Sequence, residues 1–199
     1  MKNIFKEVLS YIVTIVVAIG IVFTFRHFIA EPFAVDGRSM DYTLADGQRL
    51  FMFKLSKVDR FDVVVLPSPT GDTDAKGNIK LYIKRVIGVP GDTIEYKDDQ
   101  LYLNGHVVEE PYLAQKQSET NRNFTEDFTL EAITGQTVVP EGKVFVMGDN
   151  RQNSLDSRSF GFVNIDDIKG EADFIYWPLN QIGFLDKYKI DEAGNLVPR

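Results

Sequence analysis

The chain contains no cysteine. That excludes disulfides, thiolate catalysis and cysteine-bound zinc, and it suits either an intracellular protein or a bacterial extracytoplasmic one. Histidine is almost as scarce. His27 abuts an apolar segment and His106 follows an Asn-Gly turn, so neither looks like the base of a Ser-His-Asp triad. A hydrolase built from this chain therefore needs a different base. Positive charge is short too: 22 basic residues stand against 29 acidic ones, a net charge of -7 with no basic run, which argues against a nucleic-acid partner. Internal repeats are lacking, as is any long helix outside the N-terminus.

What is present begins with an apolar segment from Val8 to Phe25, extended by Ile4, Phe5, Phe28 and Ile29. As a helix, its 18 residues rise about 27 Å, nearly the thickness of a bilayer core. A cleavable signal peptide is the competing reading. The residues after it, Arg26-His27-Phe28-Ile29-Ala30-Glu31-Pro32, offer no small-x-small cleavage pattern, so an uncleaved anchor is expected. Lys2 and Lys6 precede the segment while Arg26 and Arg38 follow it, so charge counting leaves the orientation open. Residues 1–29 are thus expected to form a stub and anchor, and residues 30–199 one further domain. Roughly 170 residues are enough for one well-buried core.

Beyond Pro32 the pattern is short β-type runs broken by turn formers: Gln48 to Phe53, Phe61 to Leu66, Leu81 to Val89, Asp92 to Tyr96, Gln100 to Leu103, His106 to Val108, Lys143 to Met147 and Ala172 to Pro178. Pro90-Gly91 suits a type II turn and Asn104-Gly105 a tight hairpin turn. Ser68 to Asn78 reads as loop. Residues 114–136 are polar without a clear period and read as a surface excursion, and the tail from Asp186 reads as polar. Residues 30–199 are expected to be mainly β.

One strand carries an anomaly. Alternation puts Ile79, Leu81, Ile83, Arg85 and Ile87 on one face and Tyr82, Lys84 and Val86 on the other, so Lys84 has apolar neighbours on its own face. Taken alone, such a lysine snorkels its ammonium to water. Buried instead, it would lose affinity for its proton, and a lysine base near neutral pH needs its pKa lowered by about 2 to 3 units. Lys54, Lys57, Lys76 and Lys97 sit among polar residues and lack that setting. The matching nucleophile is Ser39: Gly37 frees the backbone before it, and its own N–H is available to a developing oxyanion. Asp-Gly-Arg-Ser by itself is an ordinary turn. Arg85, on the Ile/Leu face, requires a carboxylate if buried, with Asp149 or Asp156 as the partner. Met40, Phe51, Met52 and Phe53 are open to two readings, lipid contact or core, with core favoured for the two phenylalanines.

Four blocks in order carry a resemblance. They are Ser39-Met40 with Thr43-Leu44; Phe61 to Val65; Tyr82-Ile83-Lys84-Arg85-Val86-Ile87-Gly88-Val89-Pro90-Gly91-Asp92; and Gly148-Asp149-Asn150-Arg151 with Asn153-Ser154, Asp156-Ser157-Arg158 and Gly161. Together they resemble bacterial type I signal peptidase, in the short form of Gram-positive bacteria. The resemblance covers the chain from its anchor to about Val163. It implies a β-sheet, partial-barrel ectodomain behind one transmembrane helix, with Ser39 as nucleophile and Lys84, flanked by Tyr82, as its base. It also implies that the Ser154 hydroxyl hydrogen-bonds the amine, and that Asp149, Arg151, Asp156 and Arg158 form structural ion pairs. In one respect the chain departs from the pattern: some members have a serine two places before the nucleophile that helps the oxyanion hole, where this chain has Gly37, so a Gly37 N–H or a water must substitute. Asp41-Tyr42 also stands where many members have a proline.

The implied function is a membrane-bound Ser/Lys endopeptidase that removes signal peptides from exported preproteins after small residues. Its domain would lie on the extracytoplasmic side of a bacterial cell membrane on a single span, with no cofactor and no metal. Preprotein signal peptides and the lipid bilayer are the implied partners, with the secretion translocon as a further candidate. Two rivals stand beside it. A self-cleaving repressor of related fold would need a DNA-binding N-terminus where this chain has its apolar segment. A membrane-anchored, non-catalytic β module for assembly or scaffolding would need no activated serine.

Overall fold

The computed structural model of the chain describes residues 2–120, 123–191 and 194–199. Helix α1 (Lys2–Phe28) leads directly into strand β1 (Ala30–Ala34). Its stretch Lys6–Phe28 is long and apolar enough to cross a bilayer, and none of it is buried against the rest of the chain. Then come β2 (Arg49–Phe53), β3 (Val63–Pro67), β4 (Leu81–Gly88), β5 (Ile94–Lys97), β6 (Gln100–Leu103), β7 (His106–Val108), α2 (Ala114–Glu119), β8 (Phe128–Thr129) and α3 (Leu130–Thr134). The remainder is β9 (Lys143–Met147), α4 (Ser157–Phe160), β10 (Val163–Asn164), β11 (Gly170–Trp177), β12 (Gly183–Phe184), β13 (Tyr188–Ile190) and β14 (Leu196–Pro198). The chain is mainly β behind an N-terminal apolar helix, as expected.

An antiparallel sheet runs in the order β1-β2-β11-β3-β4-β9-β10, with β12 added to β11. A four-stranded sheet, β7-β6-β5-β8, and the hairpin β13-β14 complete the β-structure. Strand β4 supplies all three apolar clusters of the core. Ile83 packs with Val35, Met40, Leu44 and Leu50; Val86 with Val64, Leu66 and Val146; and Ile87 with Phe61, Tyr96 and Phe145. Burying each such side chain contributes about 1.5–3 kcal/mol, so β4 sits where the sheets are tied together. On one side β3 pairs with it from Leu81 to Arg85; on the other β9 covers only Arg85 to Gly88. The first residues of β4 therefore keep a free edge, as does β1 on the side away from β2.

Three expectations are refined. The 114–136 stretch, expected to be a less regular polar surface excursion, carries local structure: its described residues include α2, β8 and α3 and bury Phe124, Thr125 and Leu130. The tail is not simply polar, because Tyr188, Ile190 and Leu196 of the terminal hairpin pack onto the cluster around Phe145. Met40 and Met52 do not face lipid; both are buried in the cluster around Leu44, while Phe51 and Phe53 are half-buried.

Candidate functional site

The turn after β1 brings Ser39 to the middle of β4. Val35 N–H bonds to the Gln48 carbonyl, Gly37 turns the chain at φ +98°, and Met40 and Leu44 anchor the far side of the turn in the core. A second turn, Gly148-Asp149-Asn150, holds the first from beside β9. Asn150 N–H donates to the Ser39 carbonyl at 3.0 Å, Asn150 Nδ2 to the Arg38 carbonyl at 2.9 Å, and Thr43 Oγ1 to Asp149 Oδ2 at 2.5 Å. Gly148 is there because nothing larger fits: a Cβ on it would lie 2.4 Å from the Ser39 carbonyl oxygen and 2.3 Å from Ser154 Oγ. That single point also shows how closely Ser154 approaches the nucleophile turn.

Lys84 Nζ stands 2.8 Å from Ser39 Oγ and 2.9 Å from the carbonyl of Ile83. The residue is 3% exposed, and among the described residues no carboxylate reaches its nitrogen within ion-pair distance. Burial pulls its pKa down to about 8, with Asp156 and Asp149 drawing it part of the way back. At pH 7 about one amine in ten is then neutral, against about one in a few thousand for a solvated lysine. The face of Tyr82 lies 5.0 Å from the nitrogen, and its hydroxyl donates to Asp72.

Arg85, one residue on, points the other way. Its Nε and Nη2 donate to the two Asp149 oxygens at 2.9 and 2.6 Å and its Nη1 to the Phe61 carbonyl at 2.8 Å. Burial opposes its charge, but Asp149 more than restores it and raises the guanidinium pKa. Asp149, rather than Asp156, is thus the partner of Arg85. Asp156 pairs instead with Arg158, whose Nε and Nη2 donate to it at 2.9 and 2.8 Å, and accepts the Gly148 N–H at 3.0 Å. Burial favours the protonated acid, yet Arg158 prevails and the carboxyl pKa is lowered. Arg151 pairs with Glu110 at 2.5 Å and donates to Tyr96 Oη at 2.7 Å, joining this turn to the small sheet.

Two expected roles come out differently. The Gly37 N–H donates to Asp46 Oδ1 at 2.8 Å and is not free to receive an oxyanion. Ser39 N–H, by contrast, has no partner among the described residues. The Ser154 hydroxyl is buried without a hydrogen-bond partner, where the resemblance implied a bond to the Lys84 amine. Sequence reading missed Thr43, Asn150 and Glu110. The first two stand inside the motif blocks, so their position was on view and their partners were not. Among the described residues no group of three or more His, Asp or Glu is gathered to hold a metal.

Comparison with known proteins bears on this geometry. Residues 8–177 match the family described as signal peptidase, peptidase S26. The chain is 47% identical over 173 residues to a signal peptidase I of Bacillus caldolyticus, covering 84% of this chain and 91% of that protein. It is 38% identical over 185 residues to signal peptidase IB of Staphylococcus aureus, covering 88% and 93%. A crystal structure of a signal peptidase I from Enterococcus faecalis superposes with a TM-score of 0.53 at 46% identity, covering 58% of this chain and 97% of that one.

Proposed function

From the premise that the chain belongs to the signal peptidase family, peptidase S26, we propose that it cleaves signal peptides from preproteins with Ser39 as nucleophile and Lys84 as general base. The observation that carries this reading is a dry amine 2.8 Å from a hydroxyl. The same distance serves both proton positions: neutral Nζ accepts the Ser39 proton as Oγ attacks the scissile carbonyl, and the ammonium so formed gives that proton to the leaving amine as the C–N bond breaks. Water then attacks the ester, Lys84 takes its proton, and Ser39 is restored. The free Ser39 N–H supports a role as donor to the oxyanion, a role that the engaged Gly37 N–H does not fill.

In this reading α1 anchors the enzyme in the membrane, residues 30–199 form the catalytic domain on the extracytoplasmic side, and the signal peptide lies extended along the free edges of β1 and the start of β4. Main-chain pairing there supplies affinity. Alternation points the first and third residues before the cut toward the same wall, beside the buried Val35, Met40 and Ile83, where shallow apolar pockets would favour small side chains. Ser39 lies only 11 residues beyond the end of α1 at Phe28, which keeps the site near the bilayer. The test is processing of a purified preprotein by the full chain in lipid vesicles. Ser39→Ala and Lys84→Ala are each expected to abolish cleavage, and wild-type rates in either variant would overturn the assignment.

A further inference from the structure

Ser154 also lines a cavity of about 880 Å3 whose other walls include Phe124, Phe128 and Ile133 and the carboxylates of Glu126 and Asp127. Neither β1 nor the first residues of β4 contribute to it. Arg151 and Arg158 border it as well, but each is already neutralised, by Glu110 and Asp156 respectively. Glu126 is exposed and has no ion-pair partner among the described residues, and Asp127 accepts only the N–H of Asp98, at 3.0 Å. Among the described residues the uncompensated charge of the cavity is therefore negative. Two polar atoms of these wall residues, Arg151 Nε and Ser154 Oγ, are buried without a protein hydrogen-bond partner.

We propose that this cavity receives the residues that follow the scissile bond, and that its rim favours a lysine or arginine among the first residues of the mature chain. The proposal rests on the peptidase reading above. With the signal peptide on the free edges of β1 and β4, the chain leaving the dyad must exit elsewhere, and this cavity touches the site through Ser154. Its volume is in the range of well-formed ligand pockets and accommodates a few residues.

The test uses the full chain in lipid vesicles with one preprotein carrying two lysines, two glutamines or two glutamates within the first five residues after the cut. Wild type is expected to favour lysine over glutamate by about two- to fivefold in kcat/KM, as for a partly exposed charge pair. Glu126→Lys is expected to invert that ratio, which cancels any general change in activity or folding. A second variant, Ile133→Trp, fills the cavity. The advantage of the full preprotein over a substrate ending one residue past the cut should shrink toward unity in it. A lysine-to-glutamate ratio that Glu126→Lys leaves unchanged, or an advantage that survives Ile133→Trp, overturns the proposal. Failure of wild type to cleave even the glutamine substrate overturns the peptidase reading instead.

Discussion

Lys84 and Arg85 are adjacent on β4 and almost equally buried, at 3% and 1% exposure, yet the protein treats their charges in opposite ways. Arg85 faces a bidentate carboxylate, a backbone carbonyl and the ring of Tyr112 4.0 Å away, and remains a cation. Lys84 meets one hydroxyl and one carbonyl, and burial draws its pKa toward neutrality. Strand alternation is what separates them, because it turns one toward Asp149 and the other toward Ser39. Contact with a carboxylate decides which buried cation is structural and which can act as a base.

The largest expected effect comes from breaking the structural side. Asp149→Ala leaves the Arg85 guanidinium buried and unpaired and should cost about 3–5 kcal/mol in urea unfolding; a loss under about 1 kcal/mol would mean that Arg85 is hydrated. Next, Lys84→Met should abolish cleavage and yet stabilise the fold. The folded-state pKa near 8 lies below the ordinary 10.5, so burying the ammonium costs about 3 kcal/mol below pH 8, and that cost vanishes as pH rises to 10.5. Methionine avoids the cost while leaving the Ile83 carbonyl without its donor. Thermal unfolding should therefore favour the variant at pH 7 by about 1–3 kcal/mol and by progressively less between pH 8 and 10.5; a variant less stable at pH 7 would contradict a dry amine.

A smaller effect concerns titration. In wild type kcat/KM should rise with pH through about 8, and Asp156→Asn, by removing a negative charge that raises the amine pKa, should move the midpoint to lower pH. An unmoved midpoint would separate the titrating group from Lys84. The least costly change for the fold is Ser154→Ala. Its hydroxyl makes no hydrogen bond, so stability should stay within about 0.5 kcal/mol. If the hydroxyl turns to the amine once substrate is bound, cleavage should still fall by about tenfold; unchanged cleavage would leave Ser154 as cavity wall alone.

Local patterns made much of this legible. Alternation identified β4 and its two faces, and the Asn104-Gly105 turn identified the β6-β7 hairpin, where both residues take positive φ. The scarcity of histidine directed attention to a lysine base, and the motif blocks singled out Ser39 as its partner. Local patterns failed where the deciding contact was distant in sequence. The 114–136 stretch looks polar because it buries only isolated residues such as Phe124 and Leu130 beneath an otherwise polar surface. The Gly37 N–H seemed free because Asp46, which takes it, comes nine residues later across a turn. Asp149 and Asp156 were equivalent partners for Arg85 until the fold assigned one to each arginine.

Residue order alone settled the mainly β character, the apolar helix ahead of it, and the presence of a lysine on an apolar strand face, since periodicity and hydropathy act between near neighbours. The dryness of that lysine, the 2.8 Å approach of a serine 45 residues earlier in the chain, and the sorting of carboxylates among three arginines came from folding. A proton affinity depends on everything packed around the nitrogen, and most of what surrounds this one arrives from distant stretches of the chain.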